Sequence, residues 1–242
     1  MKNYISGMPL WAIALFIVSF LLSLGMFIRP VRIAALNAGF TPEKSRRLQI
    51  GVLLFYVGWL AYASVLSLTG FLFSGALPPR VLLFTTVPLF VILFGIIGNT
   101  RLFKTLLRAA TLDSLIFLHV FRFVGVFFLL LLLYHLLPTA FAISADAGDV
   151  ITALFAIPVA RAVAQKKSWS TKAVYVWNVF GILDIFSLMT FAVIGAVKNA
   201  GPMTRENAEM LMFPFVWFPA FAPATILFLH AAIFRKMRLA AP

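Results

Sequence analysis

The sequence predicts an all-α polytopic membrane protein whose single transmembrane domain, residues 1–242, crosses the bilayer seven times. Hydrophobic residues make up 63% of the chain and charged residues only 11%, whereas soluble domains contain about 25% charged residues. The apolar residues also form seven separate runs, most of them near the ~20 residues that a helix needs to cross a bilayer. Finally, most lysines and arginines lie in alternate loops between these runs.

The seven spans follow from the apolar runs and the polar or proline-rich segments that separate them. The fifth run is the shortest. In chain order, the predicted spans are residues 9–28, 48–73, 81–98, 112–137, 149–164, 173–196 and 211–234.

The charges predict how the chain is oriented. There are 20 Lys and Arg residues against 7 Asp and Glu residues, and cytoplasmic loops are enriched in the basic ones. The opposite side contains only Lys2, Arg80, Lys198 and Arg205. We therefore expect the N-terminus outside and the C-terminus in the cytoplasm.

The excess of basic residues could indicate either binding to nucleic acid or contact with lipid, and the position of the charges decides between these two interpretations. No basic patch is interleaved with exposed aromatic residues, so nucleic acid is not an expected partner. Basic loops beside spans contact anionic lipid headgroups instead. The partners that we expect are the lipid bilayer, other membrane proteins and a small-molecule ligand. Cysteine is absent, which excludes thiolate metal sites, and no metal site is predicted.

The fourth span contains two polar residues in the stretch "LHVFRFVG". His119 and Arg122 share a face of the helix because they are three residues apart. They lie about 7 Å and 12 Å from its cytoplasmic end. Arg122 either extends back to the cytoplasmic surface or has a partner inside the protein, and its depth favours the second alternative.

The sixth span offers that partner in "WNVFGILDIFS". Asp184 lies about 16 Å from the cytoplasmic end, on a stripe with Trp177 and Gly181, and Asn178 flanks this stripe. An ion pair between Arg122 and Asp184 would let both groups stay charged within the membrane. Such a pair is either part of a functional site or purely structural.

The seventh span contains Pro214, Pro219 and Pro223 in its outer half. Each proline removes a backbone donor, so we expect a kinked or partly unwound helix next to protein groups that satisfy its backbone. His230 lies about 7 Å from the cytoplasmic end, level with His119.

The segment before the fifth span, "LPTAFAISADAGDV", contains no Lys or Arg. It either dips into the membrane as a re-entrant segment or is a loop in which Asp149 caps the fifth helix.

Several stretches resemble a group of bacterial integral membrane proteins that are catalogued as hypothetical or uncharacterised. The most specific are "AGD" at 147–149, "WNxxGxxD" at 177–184 and "LH" at 229–230. The resemblance implies a bacterial inner-membrane location and no known activity. It also implies a recurring polar set on the fourth to seventh spans, which comprises Arg122, Asp149, Asn178, Asp184 and His230.

Charged residues beside a proline-broken helix are typical of a site that binds or translocates a small molecule or a proton. This transporter-like reading is our prediction, with Arg122, Asp184, Asn178, His119, His230 and Asp149 as the ligand or ion site. One alternative is an accessory subunit or sensor within a larger membrane complex. A minor alternative is a b-type haem protein with His119 and His230 as axial ligands. No nucleophile motif is present, so the sequence favours a non-enzyme and we predict no catalytic residue.

Overall fold

The computed structural model describes residues 4–198 and 208–240. Within them, seven helices are long and apolar enough to cross a bilayer, so the chain is a multi-pass membrane protein, as predicted. A short basic helix precedes the fourth span. The helices are α1 (Leu10–Asn37), α2 (Pro42–Leu68), α3 (Leu82–Asn99), the short α4 (Arg101–Ala109), α5 (Leu112–Leu133), α6 (Thr139–Ala164), α7 (Ser170–Lys198) and α8 (Trp217–Ala240).

The fifth span, α6, departs most from the prediction. It begins at Thr139, directly after Pro138, so the segment 139–148 is the first part of a continuous helix. The predicted re-entrant segment is wrong, because the helix runs without a break from Thr139 to Ala164. The predicted cap at Asp149 is also wrong, because Asp149 lies inside the helix and is only 5% exposed. The segment contains four alanines, the strongest helix formers, against a single acidic residue, Asp146.

The seventh span, α8, begins at Trp217, later than the predicted start at residue 211. The preceding residues pair with the N-terminal segment instead. The Phe213 N–H donates to the Tyr4 carbonyl over 3.0 Å, and the Ser6 N–H donates to the Phe213 carbonyl over 2.9 Å. Pro214 therefore lies outside the helix, whereas Pro223 lies within it.

Polar side chains of neighbouring helices satisfy the backbone that prolines leave open. Pro223 cannot donate to the Pro219 carbonyl one turn earlier, and the Thr86 hydroxyl donates to that oxygen over 2.8 Å. A second proline, Pro88 in α3, cannot donate to the Phe84 carbonyl four residues earlier. The Tyr62 hydroxyl of α2 donates to that oxygen over 3.1 Å. Both hydroxyl groups thus satisfy backbone oxygens that the prolines leave without a helical partner.

A cluster of aromatic rings packs α1, α5 and α8 together. Phe128 stacks on Phe218 with ring centroids 4.3 Å apart, and Phe16 lies 4.6 Å from Phe215. This packing holds one side of α5 and α8, so that other faces of the two helices are free to contact α6 and α7. We call this set the aromatic core, and it comprises Phe16, Phe20, Phe27, Phe121, Phe128, Phe215, Trp217, Phe218 and Phe221.

Candidate functional site

The middle of the fourth span is wound more tightly than an α-helix. Residues Leu118–Gly125 form a 3₁₀-helix, which has three residues per turn, so that positions three apart lie in one row. His119, Arg122 and Gly125 therefore form a single row along α5. This row faces α6, α7 and α8, and the first two of its residues are the polar groups that the sequence had singled out.

Arg122 lies at the centre of the site and its side chain is fully buried. Its Nε–H donates to Asp149 Oδ1 on α6 over 2.6 Å. Its Nη2 donates to Asp184 Oδ2 on α7, which confirms the predicted pair. The alternative in which Arg122 extends to the membrane surface is wrong, because two carboxylates hold the guanidinium inside the protein.

Asn178 fixes the protonation of His230. The Asn178 Nδ2 donates to the main-chain carbonyl of His230 over 3.1 Å, so the amide oxygen faces the imidazole. This Oδ1 lies 2.8 Å from His230 Nδ1. A carbonyl oxygen only accepts, so Nδ1 carries the hydrogen and Nε2 of the neutral ring has a free lone pair.

The two buried histidines lie against each other, at the common level that the sequence predicted. The rings of His119 and His230 are 4.1 Å apart between centroids. Trp177 lies beside both, at 5.0 Å from His119 and 5.5 Å from His230. The Trp177 indole is itself fixed, because its N–H donates to the Thr152 carbonyl on α6 over 3.0 Å. We call Arg122, Asp149, Asp184, His119, His230 and Asn178 the polar cluster.

Three glycines make room for the polar cluster. A Cβ at Gly125 would stand 2.6 Å from Asp149 Cβ, and a Cβ at Gly148 would overlap the Asp184 carboxylate. A Cβ at Gly181 would lie 2.5 Å from two atoms of the His230 ring. Sequence reasoning placed Gly181 on the stripe of Asp184 and singled out neither Gly125 nor Gly148. The available signal was their position, since Gly148 precedes Asp149 and Gly125 follows Arg122 by three residues.

Several nitrogens of the cluster have no hydrogen-bond partner in the described part of the chain. They are Arg122 Nη1, both ring nitrogens of His119, and His230 Nε2. Two of them border the same point, because the Cβ position of Gly181 is 3.3 Å from Arg122 Nη1 and 2.5 Å from His230 Nε2. A donor of Arg122 and an acceptor of His230 therefore both border Gly181.

The space beside the cluster is small. A cavity of about 10 Å³ lies between the cluster and the aromatic core, lined by Arg122, Asp149, Phe20 and Phe221 among others. Such a volume holds about one water molecule.

The charges of the cluster do not balance. Within the described residues, Asp149 and Asp184 form ion pairs with Arg122 and with no other cation. We call these three residues the charged triad. With both carboxylates ionised, one guanidinium leaves the charged triad with a net charge of −1, whereas a proton on either carboxylate makes it neutral.

The geometry does not fit a haem held by His119 and His230. A haem iron lies between its two axial rings and the porphyrin plane passes through that space, but these rings are in direct contact at 4.1 Å. Among the described residues, no three His, Asp or Glu side chains are placed to hold a metal ion.

A further buried carboxylate, which sequence reasoning missed, lies at the end of the bundle where α8 begins. Glu209 is fully buried, and its Oε1 accepts from the Ser6 hydroxyl and from the Gly7 N–H at 3.2 Å. It joins the N-terminal segment to the turn before α8. No apolar span surrounds this residue in the sequence, so nothing marked it as buried.

A family described as "Domain of unknown function (DUF8737)" matches residues 78–238, which is most of the chain. The chain belongs to the DUF8737 family. The DUF8737 match includes every residue of the polar cluster, whereas α1 and α2 precede it. This agrees with the predicted resemblance to uncharacterised proteins. No curated protein and no solved structure matches the chain.

Proposed function

We propose that this DUF8737 protein binds or translocates a small molecule or a proton at the polar cluster. The observation that carries the proposal is Arg122, held in the interior by carboxylates from two other helices and accompanied by two histidines in ring contact. Ionisable groups inside a membrane are rare and usually mark a ligand, ion or proton pathway.

The composition of the cluster argues against a purely structural link between helices. The simplest structural ion pair has one carboxylate for one guanidinium, whereas Arg122 has two. Apolar side chains of similar volume often stabilise a protein as well as a buried ion pair does, or better. The unpartnered nitrogens of His119 and His230 add polar groups that contribute no bond to the fold.

We place the protein in the bacterial inner membrane, with the N-terminus outside and the C-terminus in the cytoplasm. The location rests on the resemblance of its motifs to bacterial membrane proteins. The orientation rests on the basic loops after the first, third, fifth and seventh spans, because such loops stay in the cytoplasm.

The test uses the full-length protein in liposomes that contain the pH dye pyranine, together with native mass spectrometry of the detergent-purified protein. We expect the wild-type protein to carry protons across the vesicle membrane or to retain a bound small molecule. Asp184→Asn should lose this behaviour while folding, because it leaves Arg122 paired with Asp149.

The matched control is Glu43→Gln, which removes a carboxylate from an exposed ion pair with Arg47 and should leave flux and binding unchanged. A wild-type protein with neither flux nor a bound molecule would contradict the proposal. A stoichiometric partner subunit in the same spectrum would then favour the accessory-subunit alternative.

A further inference from the structure

The charged and titratable groups of the site come from four helices. His119 and Arg122 lie on α5, Asp149 on α6, Asp184 on α7 and His230 on α8. The neutral Trp177 and Asn178 complete the surroundings of the histidines on α7, and the aromatic rings of α1 and α8 close the other side of the charged triad. With both carboxylates ionised, the triad has a net charge of −1, and the groups of the site that can bind a compensating proton are the two carboxylates and the two imidazoles.

An unbalanced charge in a low-dielectric interior is unfavourable, and a buried site tends to neutralise it by binding or releasing a proton. The cavity beside Arg122 and Asp149 has room for about one water molecule, and neither histidine lines it.

The imidazoles are suited to accept that proton. The Nε2 of His230 has a free lone pair because Asn178 holds the hydrogen on Nδ1. The Arg122 guanidinium, which borders the same point at Gly181, opposes a proton on this ring, and the two carboxylates of the triad favour it. His119 has two ring nitrogens without a partner in the described chain. The rings are 4.1 Å apart, so protonation of one opposes protonation of the other, since like charges at this distance repel.

We propose that His119 and His230 form a binding site for a single proton, whose charge neutralises the charged triad. This inference rests on the proposed function and names its ligand. The proton bonds to a ring nitrogen of the pair and comes from water at the membrane surface, so no other reactant is required. Protonated, the cluster is neutral as a whole, and the deprotonated cluster is negative.

Trp177 offers a direct readout because its indole touches both imidazoles. An imidazolium quenches indole fluorescence more strongly than a neutral imidazole does, since it accepts an electron more readily. The experiment titrates the fluorescence of the full-length protein in lipid nanodiscs between about pH 4 and pH 9, the range around histidine titration. Trp177→Phe isolates the signal of this residue from that of the other tryptophans.

We expect one quenching transition that is absent from Trp177→Phe and from the double variant His119→Gln/His230→Gln. Asp184→Asn makes the triad neutral and should lower the pH midpoint by about one unit or more, because a nearby opposite charge is lost. Asp149→Asn should act in the same direction and gives a second measurement if one variant fails to fold. Glu43→Gln, far from the site on the exposed surface, should not move the midpoint.

A midpoint that stays the same or rises in both aspartate variants would overturn the inference. So would a transition that persists in the double histidine variant, or a carboxylic acid band in the infrared spectrum that appears over the same pH range, since the proton would then reside on Asp149 or Asp184. The titration does not depend on flux. A wild-type protein that titrates as expected but carries no protons and binds no molecule would sink the proposed function and leave the proton site standing.

Discussion

α5 and α8 each contribute to two buried regions, the aromatic core on one side and the polar cluster on the other. The aromatic core is held by ring packing, with Phe128 and Phe218 at 4.3 Å. The polar cluster is held by charge and by glycines that admit other side chains. Lipid is as apolar as phenylalanine, so the aromatic core gains stability from close packing and not from escape from lipid. The polar cluster depends instead on its charges and on the absence of a side chain at its three glycines. The two regions should therefore respond to different kinds of substitution.

The largest effect should come from Arg122→Gln, which removes the guanidinium that pairs with both buried carboxylates. Breaking a buried ion pair in this way costs about 3–5 kcal/mol. The measurement is the free energy of unfolding in detergent. The control is Arg47→Gln, which should not change this free energy measurably, because the side chains of Arg47 and its partner Glu43 are 78% and 75% exposed.

The triple variant Arg122→Gln/Asp149→Asn/Asp184→Asn removes all three charges and should recover part of the lost stability. If it is no more stable than Arg122→Gln, hydrogen-bond geometry and not charge holds the cluster together.

An intermediate effect should follow from Gly148→Ala. The added Cβ would overlap the Asp184 carboxylate, and overpacking of a dense interior costs about 1–3 kcal/mol. Gly51→Ala is the matched control, because nothing lies within 4 Å of its Cβ position in α2. There the change should stabilise the helix by up to about 1 kcal/mol. Equal effects at both glycines, measured by thermal unfolding, would mean that close approach does not limit the cluster.

The smallest of these effects should come from the aromatic core. Phe16 is fully buried and lies 4.6 Å from Phe215 and 5.1 Å from Phe218. Phe16→Leu keeps an apolar side chain of similar volume and should cost about 1 kcal/mol, without moving the fluorescence midpoint of the histidine pair. A shift of that midpoint would show that the two regions are coupled through α5 and α8.

Part of the site was predictable because the membrane limits the choices. Arg122 and Asp184 are among the few ionisable residues inside the predicted spans, and each requires a partner there, so their pairing followed from depth alone. Asp149 was recognised through the resemblance, yet its place in the chain suggested a cap. Its role as a second partner of Arg122 depends on where α6 begins and on which way that helix is rotated.

The sequence by itself determined the number of spans, the apolar environment and the few polar residues that the interior must accommodate. These are local properties, because bilayer thickness imposes a length and a composition on each stretch of chain. Only the tertiary structure decided that His119 lies on His230, that three glycines admit their neighbours, and that one arginine faces two carboxylates. Those features depend on the rotation and packing of helices that are distant in the chain, and on the 3₁₀ winding of Leu118–Gly125, which hydropathy does not encode.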